Sequence, residues 1–320
     1  NFLTDYRIPV DVLCVVSRAN VTEPAGVYRF FKEIKARYIS FIPLVEAGAE
    51  DQRRGYAISA EAWGYFLCTI WDEWVRSGDE SGTTVCYVHG NRVDREKAFR
   101  RGLAAYRALV RSSRQIEPIR FVVWSWSSDQ ICGPRRDALV KATRADCECY
   151  YFGMFLAQIA PETRVGLVGY SFGGRIVSGG LHLVGGGSLC GHTLPVPALR
   201  DRTATRAAVL ATAMHNYWWL PGRRHDQTLA QVDAMLVLYN PCDPVLRWYP
   251  QLERRARPQA LGYTGCCCGV EGSTQTARLE QQNVACQIGK THDVEAYFGT
   301  RAIMDAVADC VLWQTEPVSH

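Results

Sequence analysis

Ser171 stands in Gly169-Tyr170-Ser171-Phe172-Gly173, a G-x-S-x-G pattern. A short apolar run, Val165–Val168, precedes it, and an apolar segment with helical spacing comes after it. A serine hydroxyl is a weak nucleophile until a base takes its proton and a third group orients that base. Both are available later in the chain. Asp243 lies in Asn240-Pro241-Cys242-Asp243-Pro244, and His292 lies in Gly289-Lys290-Thr291-His292-Asp293. The order is serine, aspartate, histidine, with steps of 72 and 49 residues. In that arrangement His292 would take the Ser171 proton, and Asp243 would fix the imidazole tautomer and stabilise imidazolium. The chemistry is acyl transfer through an acyl-enzyme, and it calls for no cofactor and no metal. Each residue also has a plainer reading: a glycine-rich turn for Ser171, a helix N-cap or turn aspartate for Asp243, a surface-loop histidine for His292. The other histidines fit less well. His182 falls inside the helical segment, His192, His215 and His225 precede the acid, and His320 is terminal.

The elements around these residues explain the placement. Strand, sharp turn and helix are expected around Ser171, with the serine strained so that its Oγ projects above the sheet. Side chains at positions 169 and 173 are expected to collide across the turn, hence Gly169 and Gly173. The helix that starts there aims its first amides at the site, so the Phe172 N–H is expected to face a developing oxyanion.

Strands are expected at Thr83–Val88, Ile119–Trp124, Val165–Val168, Ala207–Ala213, Met235–Tyr239 and Val284–Ile288. Helices are expected at Arg95–Arg111, with apolar Phe99, Leu103, Tyr106 and Leu109, from Gly133-Pro134 to about Ile159, and at Ala302–Leu312. Gly185–Gly187 closes the helix after Ser171, and another helix resumes at Val245. Alternating strands and helices imply an open parallel sheet, whose active site gathers at the carboxyl ends of its strands. Ser171, Asp243 and His292 each come directly after an expected strand. Asp233 enters its strand at the opposite end. Residues 188–204 read as an excursion near the site, and residues 255–282 as irregular. The loop His215–Arg224 carries Tyr217, Trp218 and Trp219, as a flap over the core or as the apolar wall of a substrate pocket.

The elbow and its partner loops resemble the α/β-hydrolase superfamily over about residues 82–320. The resemblance implies a mostly parallel sheet with helices on both faces and the same Ser…Asp…His chain order. It also implies a second oxyanion donor in the loop after the strand Thr83–Val88, in His89-Gly90-Asn91-Arg92. The backbone N–H of Asn91 is expected to be that donor, with Gly90 allowing close approach and His89 shaping the loop; a role for His89 as a base is the alternative.

The first eighty residues read differently. Asp11–Ser17 and Tyr38–Val45 are expected strands, with helices from Thr22-Glu23-Pro24 to about Lys35 and over Ala60–Arg76, capped by Ser59. This gives β-α-β-α with two parallel strands. At DVLCVVSRAN, YRFFKEIKARYISFIPLVE and AEAWGYFLCTIWDEWVRSGD the chain is similar to radical-SAM anaerobic sulfatase-maturating enzymes, over about residues 9–80. The resemblance implies two β/α units of a partial barrel, with Ser17 and Arg18 where that family contacts its nucleotide cofactor. The family's C-x-x-x-C-x-x-C cluster motif does not occur in the sequence. Cys14 and Cys68 are expected to be core cysteines. So small a segment is expected to be poorly ordered or docked on the larger domain. Two domains are therefore expected, 1–80 and 81–320, joined by the polar Ser77–Gly82.

Composition narrows the function. The 320 residues are 48% hydrophobic and 21% charged, as in globular proteins. The net charge is +4, with −3 in residues 1–80 and +7 in the remainder. The basic residues do not run together, so nucleic acid is not expected as a partner. There are 13 cysteines and no C-x-x-C; reduced thiols are expected, and no metal at Cys266–Cys268. No signal-peptide pattern and no membrane span is read, and a cytoplasmic setting is expected. Because the chain starts at Asn1, a fragment with sequence missing upstream is also expected. The leading expectation is a serine hydrolase acting on a small-molecule ester, thioester or amide. The alternatives are a non-catalytic scaffold of the same fold, or a remnant of a radical-SAM maturase, as a chimeric gene would produce.

Overall fold

A computed structural model describes residues 11–34, 36, 38–44, 58–76, 83–113, 119–159, 162–195, 204–252, 257–267 and 279–313. The chain divides into two units, Asn1–Glu80 and Ser81–His320. The segment Ser77–Gly82, expected as a linker, lies outside the described residues.

In the first unit, β1 (Asp11–Val16) pairs parallel with β2 (Tyr38–Pro43), Asp11 opposite Tyr38 and Val16 opposite Pro43. Between them runs α1 (Pro24–Glu33), with proline in its first turn, where a missing N–H costs nothing. After β2 comes α2 (Ala60–Arg76), and the Ala62 N–H donates to Ser59 Oγ at 3.2 Å. The core is small: Val16, Tyr28, Phe31 and Phe66 anchor it, with Trp63 stacked on Phe66. Cys14 belongs to that core, but Cys68 is exposed, correcting the expectation that both are core residues. Leu13, Val15, Phe30, Tyr65 and Leu67 are also exposed. Two strands have too few faces to cover them.

The second unit is built on six strands: β3 (Thr83–Val88), β4 (Ile119–Trp124), β5 (Arg164–Tyr170), β6 (Thr205–Leu210), β7 (Ala234–Tyr239) and β8 (Leu279–Asn283). Their spatial order is β4-β3-β5-β6-β7-β8, and every neighbouring pair is parallel. Strands buried on both faces read as unbroken apolar runs, and β3 is buried at all six positions. Helices α3 (Arg95–Ser112), α4 (Pro134–Gln158) and α5 (Phe172–Val184) come after β3, β4 and β5. Asp94 caps α3 by accepting the Lys97 N–H. The buried face of α3 carries Ala98, Gly102, Ala105, Ala108 and Leu109, whereas Phe99 points outward. α5 is buried along its whole length, and its one polar stripe, Arg175, Ser178 and His182, is hydrogen-bonded to Asp146, His225 and the Ser188 carbonyl. Short helices α6 (Leu261–Thr264), α7 (Ala285–Ile288) and α8 (Val294–Gly299) lead to α9 (Arg301–Val311). Among the described residues no helix is long and apolar enough to cross a membrane.

Three expectations need correction. The last strand is Leu279–Asn283, and Val284–Ile288 instead turns into α7. An edge strand with one free side tolerates the polar LEQQN, so the apolar signal misplaced it. The helix after Val245 is a 3-10 helix, Leu246–Gln251, with Pro250 inside it. Cys266 is disulfide-bonded, so the thiols are not all reduced; Cys268 lies outside the described residues, as do 196–203 of the expected excursion. Of that excursion, Leu189 packs on Cys149 and Leu183.

Candidate active site

Ser171 occupies the turn between β5 and α5 with φ 54° and ψ −119°, a region that L-residues rarely adopt. Its backbone is clamped on both sides. The Ser171 N–H donates to the Leu210 carbonyl at 2.9 Å, and the Ser171 carbonyl accepts from Gly174 and Ala213 at 3.1 Å each. A Cβ at Gly169 would come within 2.6 Å of Gly174 Cα, across the turn as expected. At Gly173 the obstacle is different. A Cβ there would meet the Val88 carbonyl oxygen at 2.0 Å, so this glycine lets α5 approach the end of β3.

Three loops meet at the carboxyl edge of the sheet. His292 Nε2 lies 3.2 Å from Ser171 Oγ, and His292 Nδ1 lies 2.6 Å from Asp243 Oδ2. Asp243 is fully buried, and its Oδ1 accepts the Val245 and Leu246 N–H groups at 2.8 and 2.9 Å. It therefore caps the 3-10 helix and faces His292 at once. A carboxylate on Nδ1 holds the proton there and leaves the Nε2 lone pair toward the serine.

The loop after β3 packs directly on the elbow: a Cβ at Gly90 would touch Ser171 Cβ at 3.0 Å and the Tyr170 ring at 2.9 Å. His89 is fully buried, with Nδ1 2.9 Å from the Gly90 carbonyl, while Nε2 accepts the Trp126 N–H at 3.3 Å. Burial lowers its pKa to about 4. A neutral imidazole with both nitrogens engaged shapes the loop and has no lone pair to spare as a base. The Asn91 and Phe172 N–H groups have no acceptor among the described residues.

Three supporting residues escaped sequence reasoning. Asp137, on α4, accepts from Asn91 Nδ2 at 3.0 Å and Arg92 Nε at 2.9 Å, holding the β3 loop. Burial pushes its carboxyl up, but the Arg92 guanidinium and the Ile131 and Asn91 N–H groups outweigh this and hold it below the usual range. Asn240 is buried after β7; its Nδ2 donates to the Gly289 carbonyl at 2.8 Å and its Oδ1 accepts the Cys242 N–H at 2.9 Å. It ties the Asp243 loop to the His292 loop. The Tyr170 hydroxyl donates to the His292 carbonyl. Only Tyr170 and Asn240 left a sequence signal, a polar group at the end of an apolar strand. The aromatic loop after β6 divides: Trp218 and Trp219 are buried, while Tyr217 with Trp218 lines a cavity.

A parallel sheet, a strained serine at the central strand and partner loops after β7 and β8 decide the architecture. The second unit has the α/β-hydrolase fold. No family model matches the chain. Curated relatives match a short segment. A serine-type anaerobic sulfatase-maturating enzyme of Bacteroides thetaiotaomicron is 36% identical over 91 residues, 24% of this chain and 22% of that protein. The corresponding enzyme of Klebsiella aerogenes is 33% identical over 88 residues, 28% of this chain and 22% of that protein. The chain thus spans about a fifth of the length of these relatives. Among solved structures, carboxyl esterase 2 of Tuber melanosporum is 15% identical, with TM-score 0.35, over 72% of this chain and 79% of that chain. The acetyl xylan esterase core of Trichoderma reesei is 14% identical, with TM-score 0.39, over 73% and 100%. Acyl-protein thioesterase 2 of Zea mays is 12% identical, with TM-score 0.38, over 72% and 93%.

Proposed function

We propose that residues 81–320 form a serine hydrolase that cleaves a small ester, thioester or amide through an acyl-enzyme. The observation that carries this reading is the continuous chain Asp243–His292–Ser171, at 2.6 and 3.2 Å, on a fully buried carboxylate. His292 Nε2 takes the Ser171 proton as Oγ attacks the acyl carbon. The imidazolium is stabilised by Asp243, whose two other acceptor bonds, from the Val245 and Leu246 N–H groups, keep it aimed. The oxyanion of the tetrahedral intermediate is received by the Asn91 and Phe172 N–H groups, and Phe172 adds the positive end of α5. His292 then returns the proton to the departing alkoxide, thiolate or amine. Water, activated by the same imidazole, releases the acid.

A fluorophosphonate probe tests the reading, because it reacts only with an activated serine. Labelling of the intact protein is expected, together with its loss in Ser171→Ala. A folded wild-type protein that takes no label would sink the proposal.

A further inference from the structure

We propose that a cavity between α4 and the loop after β6, reached by Arg175 of α5, is an anion-recognition subsite, and that the acyl compound cleaved at Ser171 carries a carboxylate or phosphate away from the scissile bond. This deepens the hydrolase reading and rests on it.

The cavity measures about 560 Å³, within the range of small-molecule sites. Its walls continue the loops that build the site. Arg175 is one turn beyond Ser171 on α5, about 6 Å along the axis. His215 is two residues beyond Ala213, which holds the Ser171 carbonyl. Tyr249 is on the 3-10 helix that Asp243 caps.

The lining carries three guanidinium groups, Arg175, Arg223 and Arg224, against a single carboxylate, Asp146. That carboxylate is spent twice. Arg175 Nε and Nη2 donate to it at 2.7 and 2.8 Å, and Arg224 Nη2 donates at 2.8 Å. Arg175 Nη1 makes no hydrogen bond among the described residues, and Arg223 makes no ion pair among them. The cations are held in place by aromatic rings. Arg175 and Arg224 lie 4.6 and 5.3 Å from the Trp218 ring centroid, and Arg223 lies 5.6 Å from that of Tyr217. The Arg175 Nη1 and the Arg223 guanidinium, backed by aromatic rings, are N–H donors that suit an oxyanion and not a neutral chain. His215 reports the same field: burial first, then the charges of Arg175 and Arg224, lower its pKa to about 4. It stays neutral at pH 7 and adds a polar edge without charge.

Paired esters test the inference. p-Nitrophenyl valerate is compared with mono-p-nitrophenyl glutarate, charged on the acyl side, and phenyl acetate with 4-acetoxybenzoate, charged on the leaving side. The charged member of one pair is expected to have kcat/KM about 10-fold higher, an advantage that shrinks with added salt. Arg223→Ala is expected to lower the charged-to-neutral ratio by about 10-fold, with partial rescue by Arg223→Lys. Arg223 is exposed, so this variant is safer for folding than Arg175→Ala, which would take two of three donors from the buried Asp146 carboxylate. Equal rates within both pairs, with a ratio indifferent to Arg223→Ala, would overturn the subsite and leave the hydrolase standing. In parallel, calorimetry measures glutarate and inorganic phosphate binding to the wild-type protein and to Arg223→Ala. If no ester is cleaved and no fluorophosphonate label is taken, but either anion binds and loses affinity in Arg223→Ala, the hydrolase falls and the anion site stands. The tighter of the two anions then names the group recognised. Binding of neither anion overturns the subsite.

Discussion

Ser171 is held at φ 54° by contacts on every side, so the strain at the turn is maintained by its neighbours and not by its own preference. The glycines at 169 and 173 are steric requirements of different kinds. One relieves the turn itself, and the other lets α5 rest against the end of β3. Gly173→Ala would drive a methyl group to 2.0 Å from the Val88 carbonyl oxygen, a backbone atom that cannot rotate away. We expect that variant to lose about 3 kcal/mol or more of stability, read as a shift in the denaturant midpoint, and to lose fluorophosphonate labelling. The G-x-S-x-G pattern made these two glycines legible. The true neighbour of Gly173 was not, because Val88 is 85 residues away in the chain.

At the scale of elements, the site is an agreement between loops. β5 delivers the serine, the loop after β7 delivers the acid, and the loop beyond α7 delivers the base. Asn240 links the last two through the Gly289 carbonyl. Asn240→Ala would remove that tie, leave the Gly289 carbonyl with the local Thr291 N–H alone, and let the His292 loop drift. A loosened base is expected to lower kcat by about 10- to 100-fold with little change in KM, measured on a p-nitrophenyl ester. The strands were readable because burial on both faces makes them uniformly apolar. β8 was not, since LEQQN sits at an edge and its pairing to β7 is set by backbone hydrogen bonds, not by side chains. The position of His292 was nevertheless readable, because Gly289 and the flanking polar residues mark a loop.

At the scale of the whole molecule, four histidines of the second unit have lowered pKa values. Burial is the leading cause at His89, His182, His215 and His225, with His89 and His215 at about 4. A folded pKa below the unfolded value of 6.5 means that the unfolded chain takes up protons first as the pH falls. Stability is therefore intact above about 6.5 and is lost as the pH drops from there toward 4. The fully buried His89 contributes at most about 1.4 kcal/mol per pH unit across that window. Thermal melts should show Tm falling between pH 7 and pH 5, and His89→Gln should flatten that slope. An unchanged Tm over the window would contradict the burial of these rings. The first unit stands apart in its energetics, since a core anchored by Val16, Tyr28, Phe31 and Phe66 leaves Leu13, Val15 and Tyr65 in water.

What the amino-acid order determined alone is local. Apolar runs became strands, proline and serine marked helix starts, and small residues around Ser171 forced the sharp turn. These signals act over a few residues, through sterics and through the period of burial. What only the tertiary structure decided is convergence. His292 and Ser171 are 121 positions apart, Arg224 and Asp146 are 78 apart, and Asp137 reaches Arg92 across 45. Such pairs leave no periodic trace, because a charged or polar group is placed by the packing of whole elements against one another. The cationic cavity between α4 and the loop after β6 therefore became visible only once the helices and loops were assembled.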